Sequence, residues 1–167
     1  MKREVVIDTR EIALEDRVVE KGINRTAKVM KGGRRFHFSA LVVSGNRNGV
    51  VGFGFAKAND VPSAVDKATR AAHRNLIRVK VMDETVPHEA TGRFGGSKVI
   101  LVPAAPGTGI IASAPVRAVV ELAGVRNLLT KSYNKNNPIN LVKATFAAMR
   151  QMRTREEAAA LRGVDLE

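Results

Sequence analysis

The chain has 167 residues, enough for one ordinary domain or two small ones, and two small units are expected. Its 28 basic against 16 acidic residues give a formal net charge of +12, which favours a polyanionic partner through counterion release and puts nucleic acid ahead of a merely solubilising charge excess. The absence of cysteine excludes disulfides, thiolate catalysis and cysteine-bound zinc, and no apolar run approaches the roughly 20 residues that span a bilayer.

The N-terminal apolar stretch, Val5-Val6-Ile7, is too short for a secretory signal, so a cytoplasmic location or its organellar equivalent is expected. Thr9 to Asp16 has room for only a short helix. From Arg17 to Val29 the sequence tolerates a strand, until Lys31-Gly32-Gly33-Arg34-Arg35 interrupts it with turn chemistry and clustered charge, the signature of a hairpin tip. Phe36, Phe38, Ala40 and Val42 then alternate with Arg35, His37, Ser39 and Leu41, which predicts a strand with one buried face.

Ser44-Gly45-Asn46-Arg47-Asn48-Gly49 tolerates positive φ and closes a second hairpin. In the following strand, Val50 to Ala56, Val51, Phe53 and Phe55 share a face. Gly52 and Gly54 leave the other face bare for close approach of another backbone. Asp60 as N-cap and Pro62 in the first turn open a helix expected to reach about Ile77. One stripe of it carries Lys67, Arg70, Arg74 and Arg78; the opposite side carries Ala64, Val65, Ala68, Ala72 and Leu76. Three antiparallel strands followed by a basic amphipathic helix resemble a double-stranded-RNA-binding layout, although that module usually opens with a helix.

Past Arg78, Val86 to Phe94 and Lys98 to Pro103 read as strands around a turn at Gly95-Gly96. Ser113 is placed to cap a helix that carries Val116, Val119, Val120 and Ala123 and ends at Gly124. A strand from Asn127 to Tyr133 follows. Asn137 and Pro138 then start a helix through Met152, with Ile139, Val142, Phe146 and Met149 or Ala147 inward. Strand, helix, strand, helix implies a βαβ unit. Thr154-Arg155-Glu156-Glu157 is a capping box for a short peripheral helix. The fold class is therefore α+β. The expected division is a variable segment 1–16, a first domain 17–79, an α/β sandwich domain 80–153 and a tail helix 154–167.

Gly107-Thr108-Gly109-Ile110-Ile111-Ala112 matches the spacing of a dinucleotide-binding loop. Yet the strand after the next helix offers Lys131 and Lys135 where an acid would hold the ribose, and no Lys-Ser or Lys-Thr follows as in a phosphate-binding loop of the Walker type. No cofactor is expected; the glycines are read instead as presenting backbone N–H groups to an RNA phosphate. His37, His73 and His88 lack ligand spacing, so no metal is expected. Asp83, Glu84 and Glu89 look like a solvated linker rather than a paired-carboxylate site, and no enzymatic activity is expected.

Four blocks in order, Lys31-Gly32-Gly33-Arg34, Val51 to Ala58, Pro106 to Ala112 and Asn136-Asn137-Pro138-Ile139-Asn140, resemble the bacterial small-subunit ribosomal protein five family. The likeness runs from Arg17 to Met152. It implies a first domain akin to a double-stranded-RNA-binding fold, a βαβ-type second domain, and a structural rather than catalytic role. It also implies binding to small-subunit ribosomal RNA, contacts with small-subunit proteins four and eight, a part in decoding accuracy and a place near the channel through which messenger enters. Gly109 and Arg117 match positions at or near the contact with protein four.

The expected RNA-binding residues are Arg25, Lys28, Lys31, Gly32, Gly33, Arg34 and Arg35 on the hairpin, Lys57 on the third strand, Lys67, Arg70 and Arg74 on the helix, and Gly107, Thr108 and Gly109 in the glycine loop. A free-standing RNA chaperone and, more remotely, a nucleotide-dependent enzyme are the competing readings.

Overall fold

The computed structural model describes residues 13–20, 22–134 and 136–163. The first sheet is antiparallel throughout and consists of β1 (Glu15–Val18), β2 (Asn24–Met30), β3 (Gly33–Gly45), β4 (Val50–Ala58) and β5 (Leu76–Arg78). The long strand β3 organises it. One edge of β3 holds β2 along its first half and β1 along its second; its other edge holds β4 from Phe38 onward.

The three expected strands are present as β2, β3 and β4, and two short ones extend them. Glu15 and Asp16 lie in β1, not in the short helix expected from Thr9 to Asp16, because the free edge of β3 at Ser44 and Gly45 offers them a ladder. Thr9 to Ile12 lie outside the described residues.

Helix α1 (Val61–Arg74) follows β4. It stops three residues short of the expected Ile77: Asn75 turns away from helical geometry at φ −110° and ψ 36°, and Leu76–Arg78 pair with Val50–Gly52 on the open edge of β4. Arg78 therefore belongs to the sheet and drops out of the helix stripe. Asp60 occupies the N-cap position but makes no side-chain cap bond. The glycines of β4 do what their bareness implies. A Cβ on Gly54 would stand 1.9 Å from the Ala68 carbonyl oxygen, so α1 lies directly on the strand with Ala64, Ala68 and Ala72 buried beneath it.

The second sheet, in the order β6-β7-β9-β8, consists of β6 (Ala90–Phe94), β7 (Ser97–Pro103), β8 (Ile110–Ile111) and β9 (Leu128–Asn134). Helices α2 (Ala114–Leu122) and α3 (Pro138–Gln151) pack with it, and α4 (Arg155–Arg162) follows. The strand expected from Val86 begins only at Ala90. Before it, Met82 and Thr85 bridge across a turn in which Asp83 and Glu84 adopt φ of 48° and 63°. The turn is exposed, as expected of a solvated linker, and is also pinned: the Glu84 carbonyl accepts the N–H groups of Arg126 and Asn127 at 2.8 and 3.0 Å.

The βαβ unit exists, but its first strand is β8. Strands β7 and β9 are antiparallel, whereas β8 and β9 run parallel across α2. Ser113 is the N-cap residue of α2, yet its hydroxyl makes no cap bond. Asn137 does cap α3, its side chain accepting the Ile139 N–H at 3.1 Å. At α4 both halves of the capping box form, and Glu157 also pairs with Lys80.

One apolar cluster draws on both halves of the chain. Leu41, Val43 and Val51 of the first sheet join Val99, Leu101, Val116, Val119, Val142 and Phe146. A smaller cluster of Ala40, Val42, Ala58, Ala64 and Ala68 fills the space under α1. From Ser39 onward β3 is thus buried on both faces, where alternation had suggested one, because the second half of the chain covers the side that α1 leaves open. Phe53 and Phe146 meet edge to face across this junction, with ring centroids 4.8 Å apart. Beside them, Arg17 pairs with Glu121 at 2.6 Å. The 45–49 turn seats on the end of α2, its Arg47 and Gly49 N–H groups donating to the Leu122 and Ala123 carbonyls, each at 2.9 Å.

Candidate nucleic-acid interface

Strand β2 buries nothing: all seven of its residues are exposed. It pairs with β3 from Asn24↔Ser39 to Met30↔Gly33, while β4 stops pairing at Phe38↔Ala58. Residues 24–37 therefore leave the sheet as a two-stranded arm. Lys31 and Gly32 turn its tip, and Gly32 at φ 90° takes a conformation that side-chain-bearing residues avoid.

Directly opposed residues of an antiparallel pair share a face. Lys28 and Arg35 thus lie on one face of the arm with Thr26 and His37, and Lys57, opposite Ser39, continues that face along β4. Arg25, Ala27, Val29, Arg34 and Phe36 make up the other face, the one on which α1 packs further along. The five hairpin cations consequently divide two and two about Lys31 at the tip rather than forming a single patch.

Sequence alternation placed Phe36 inward with Phe38. The structure leaves it 44% exposed, since it lies beyond the last β3–β4 pair and beyond the reach of α1, with the Arg25 guanidinium 4.5 Å from its ring centroid. Val29 beside it is 74% exposed. Neither was among the expected contacts. The signal that would have marked them was register, which periodicity alone does not supply.

On α1, Lys67, Arg70 and Arg74 are all exposed. Ion pairing engages some of the chain's cations and leaves these groups out. Arg17, Arg47, Lys80 and Arg126 each hold a carboxylate, and His73 approaches Asp16 at 2.9 Å. Arg25, Lys28, Lys31, Arg34, Arg35, Lys57, Lys67, Arg70 and Arg74 have no acidic partner among the described residues. Their charge is left to act outward.

The glycine loop is arranged differently from expectation. It precedes the short strand β8 instead of opening α2, and its N–H groups are engaged. Gly107 and Gly109 both donate to the Asn127 side-chain oxygen at 3.1 Å, and Thr108 donates to the Ala105 carbonyl at 3.2 Å. A phosphate cradle of open N–H groups, as at a helix N-terminus or in a dinucleotide site, is not formed. Asn127, 5% exposed, is the residue that sets this loop, and sequence reading passed over it. Lys131 lies exposed on β9, and Lys135 is outside the described residues. Arg117 reaches back to the residue after Gly109: its guanidinium donates to the Ile110 carbonyl at 2.8 Å.

Among the described residues, no serine or threonine hydroxyl is held by a histidine base. The Asp16 carboxylate accepts the Ser44 hydroxyl at 2.5 Å and meets His73 on the same oxygen, which leaves serine and imidazole without a contact of their own. His88 is occupied too, accepting the Arg153 N–H at 3.0 Å.

Residues 14–80 match the family model described as ribosomal protein S5, N-terminal domain, and residues 92–162 match ribosomal protein S5, C-terminal domain. The chain belongs to the ribosomal protein S5 family. A similar relative, the small ribosomal subunit protein uS5 of Rhodopirellula baltica, is 54% identical over 155 residues, covering 93% of this chain and 86% of the relative. As an S5-family member the chain is an RNA-binding protein of the small ribosomal subunit, a structural component of a ribonucleoprotein and not an enzyme, and the ribosome is where it resides. The α+β architecture expected of the S5 family is the one the two sheets and their helices form.

Proposed function

We propose that this chain grips small-subunit ribosomal RNA from the side of its first sheet. The arm residues Arg25, Lys28, Lys31, Gly32, Gly33, Arg34 and Arg35 enter the RNA, while Lys57 and the α1 residues Lys67, Arg70 and Arg74 hold neighbouring phosphates. The observation that carries this reading is that nine cations without an acidic partner among the described residues gather on the arm, β4 and the exposed stripe of α1. Phosphate contacts of this kind fix position and orientation without reading bases. In this reading, residues 17–79 form the RNA-gripping unit, and residues 80–153, followed by the 154–167 tail, form the unit that meets other ribosomal proteins.

Small-subunit protein four is proposed to dock at Gly109 and Arg117. The cleft of about 680 Å³ beside them is lined by charges of both signs, including Arg47, Glu84, Arg117 and Glu121, which suits a protein surface better than a polyanion. Gly107, Thr108 and Gly109 directly precede the lining residue Ile110, and nothing lies within 4 Å of a Cβ at either glycine, which leaves room for close approach of a partner's backbone. Contact with protein eight, support of translational accuracy and a position near the channel through which messenger enters complete the proposed role.

The test is RNA affinity as a function of salt. Replacing Lys31, Arg34 and Arg35 by Ala should weaken binding to small-subunit ribosomal RNA and flatten the log–log salt slope by about one unit per lost contact. An unchanged slope would remove the arm from the interface.

A further inference from the structure

A second cleft, of about 480 Å³, opens where the two halves of the chain meet. Its floor is the Phe53–Phe146 ring pair already described. One wall is Phe94, which is 42% exposed although it is a large apolar side chain, with the Lys143 ammonium 4.6 Å from its ring centroid. The rim carries Arg74, Lys143 and Arg150, and among the described residues no acidic one lines the cleft. Arg74 is also the last residue of α1 and the end of the Lys67, Arg70, Arg74 stripe.

Flat apolar rings beneath a rim of cations select a ligand that is itself flat and anionic. The volume lies within the range of small-molecule pockets. An RNA strand that follows the α1 stripe arrives at the cleft through Arg74. We propose that this cleft receives an unpaired nucleotide of RNA, with its base stacked on Phe94 and its phosphate held at the rim by Arg74 and Lys143. Stacking on an aromatic ring is how proteins take up unpaired bases, and it is tolerant of sequence. The inference rests on the RNA-binding reading given above, but it places a contact in the second half of the chain and gives the interface a single-stranded element.

The experiment uses the full chain and a ten-residue oligoadenylate carrying one 2-aminopurine, whose fluorescence falls when it stacks. Wild type should bind and quench the probe; Phe94→Leu should lose the quenching and about tenfold in affinity, the size of one stacked base. Lys143→Gln, a change at a half-buried surface position that leaves the ring in place, should weaken binding and steepen its loss with salt less than wild type. The arm variant lacking Lys31, Arg34 and Arg35 should bind the decamer more weakly, yet reach the wild-type degree of quenching once saturated, because the stacking ring is intact. If the wild-type chain binds ribosomal RNA with the expected salt slope but leaves the probe unquenched, or if Phe94→Leu quenches undiminished, the cleft assignment fails and the arm reading stands. AMP binding as tightly as the decamer would overturn RNA as the source of the nucleotide. Displacement of the decamer by an acidic, tyrosine-containing peptide at lower concentration than unlabelled decamer would overturn it in favour of a protein.

Discussion

The backbone N–H of Arg47 donates to the carbonyl of Leu122 at 2.9 Å, so a turn between two strands of the first sheet finishes a helix of the second half. The last carbonyls of a helix have no partner within it. Here they are satisfied across the junction, beside the Arg17–Glu121 pair and above the shared apolar cluster. Gly124 permits the fit: it adopts φ 93°, and a Cβ there would stand 2.2 Å from the Arg47 carbonyl oxygen.

Gly124→Ala should therefore cost about 2–3 kcal/mol, from left-handed strain together with the backbone clash. At this chain length that corresponds to a melting temperature lower by roughly 4–12 °C. Thermal unfolding followed by circular dichroism checks it, and a transition at the wild-type temperature would mean that the junction can part at little cost.

Two glycines offer a sharper contrast. Gly54→Ala forces a methyl to within 1.9 Å of the Ala68 carbonyl and should lift α1 from the sheet, with a loss of about 3 kcal/mol. Gly96→Ala meets nothing within 4 Å and should stay within about 0.5 kcal/mol of wild type. Urea titration of both proteins decides the matter, and equal midpoints would contradict the packing described under α1.

Asn127→Ala removes the acceptor shared by the Gly107 and Gly109 N–H groups. Hydrogen exchange at those two amides should accelerate, and stability should fall by about 1 kcal/mol as the two half-exposed N–H groups lose their shared acceptor. Exchange of the Val99 and Leu101 amides should lag far behind. Protection of Gly107 and Gly109 that survives the substitution would show that the loop holds its shape by other means.

The two faces of the arm carry separate pairs of cations, so they should be separable in binding. Lys28→Ala with Arg35→Ala, and Arg25→Ala with Arg34→Ala, are each expected to flatten the salt slope of ribosomal RNA binding by about two units without moving the melting temperature. A pair whose loss leaves the slope untouched lies on a face turned away from RNA.

Much of this was legible in residue order because local rules happened to agree with the fold. The Gly32 turn, the bare face at Gly54, the Asn137 cap and the Thr154–Glu157 box each depend on neighbours within a few positions. What escaped depended on distant partners. Leu76–Arg78 read as helix because nothing nearby disclosed the open edge of β4, and β8 was missed because two residues carry no periodicity of their own. Alternation put Phe36 inward without saying where β4 would stop pairing. At the glycine loop the local pattern was present, but the side chain that fills its N–H groups, Asn127, comes 18 residues after Gly109.

The arm has a bearing on how damage to this chain would be felt. A segment with no share in the core contributes little to whether the polypeptide passes cellular quality control, which acts on unfolded populations. A chain with a faulty arm would still fold, escape degradation and occupy its place in assembling particles, so the fault would spread by competition with intact copies instead of by their shortage.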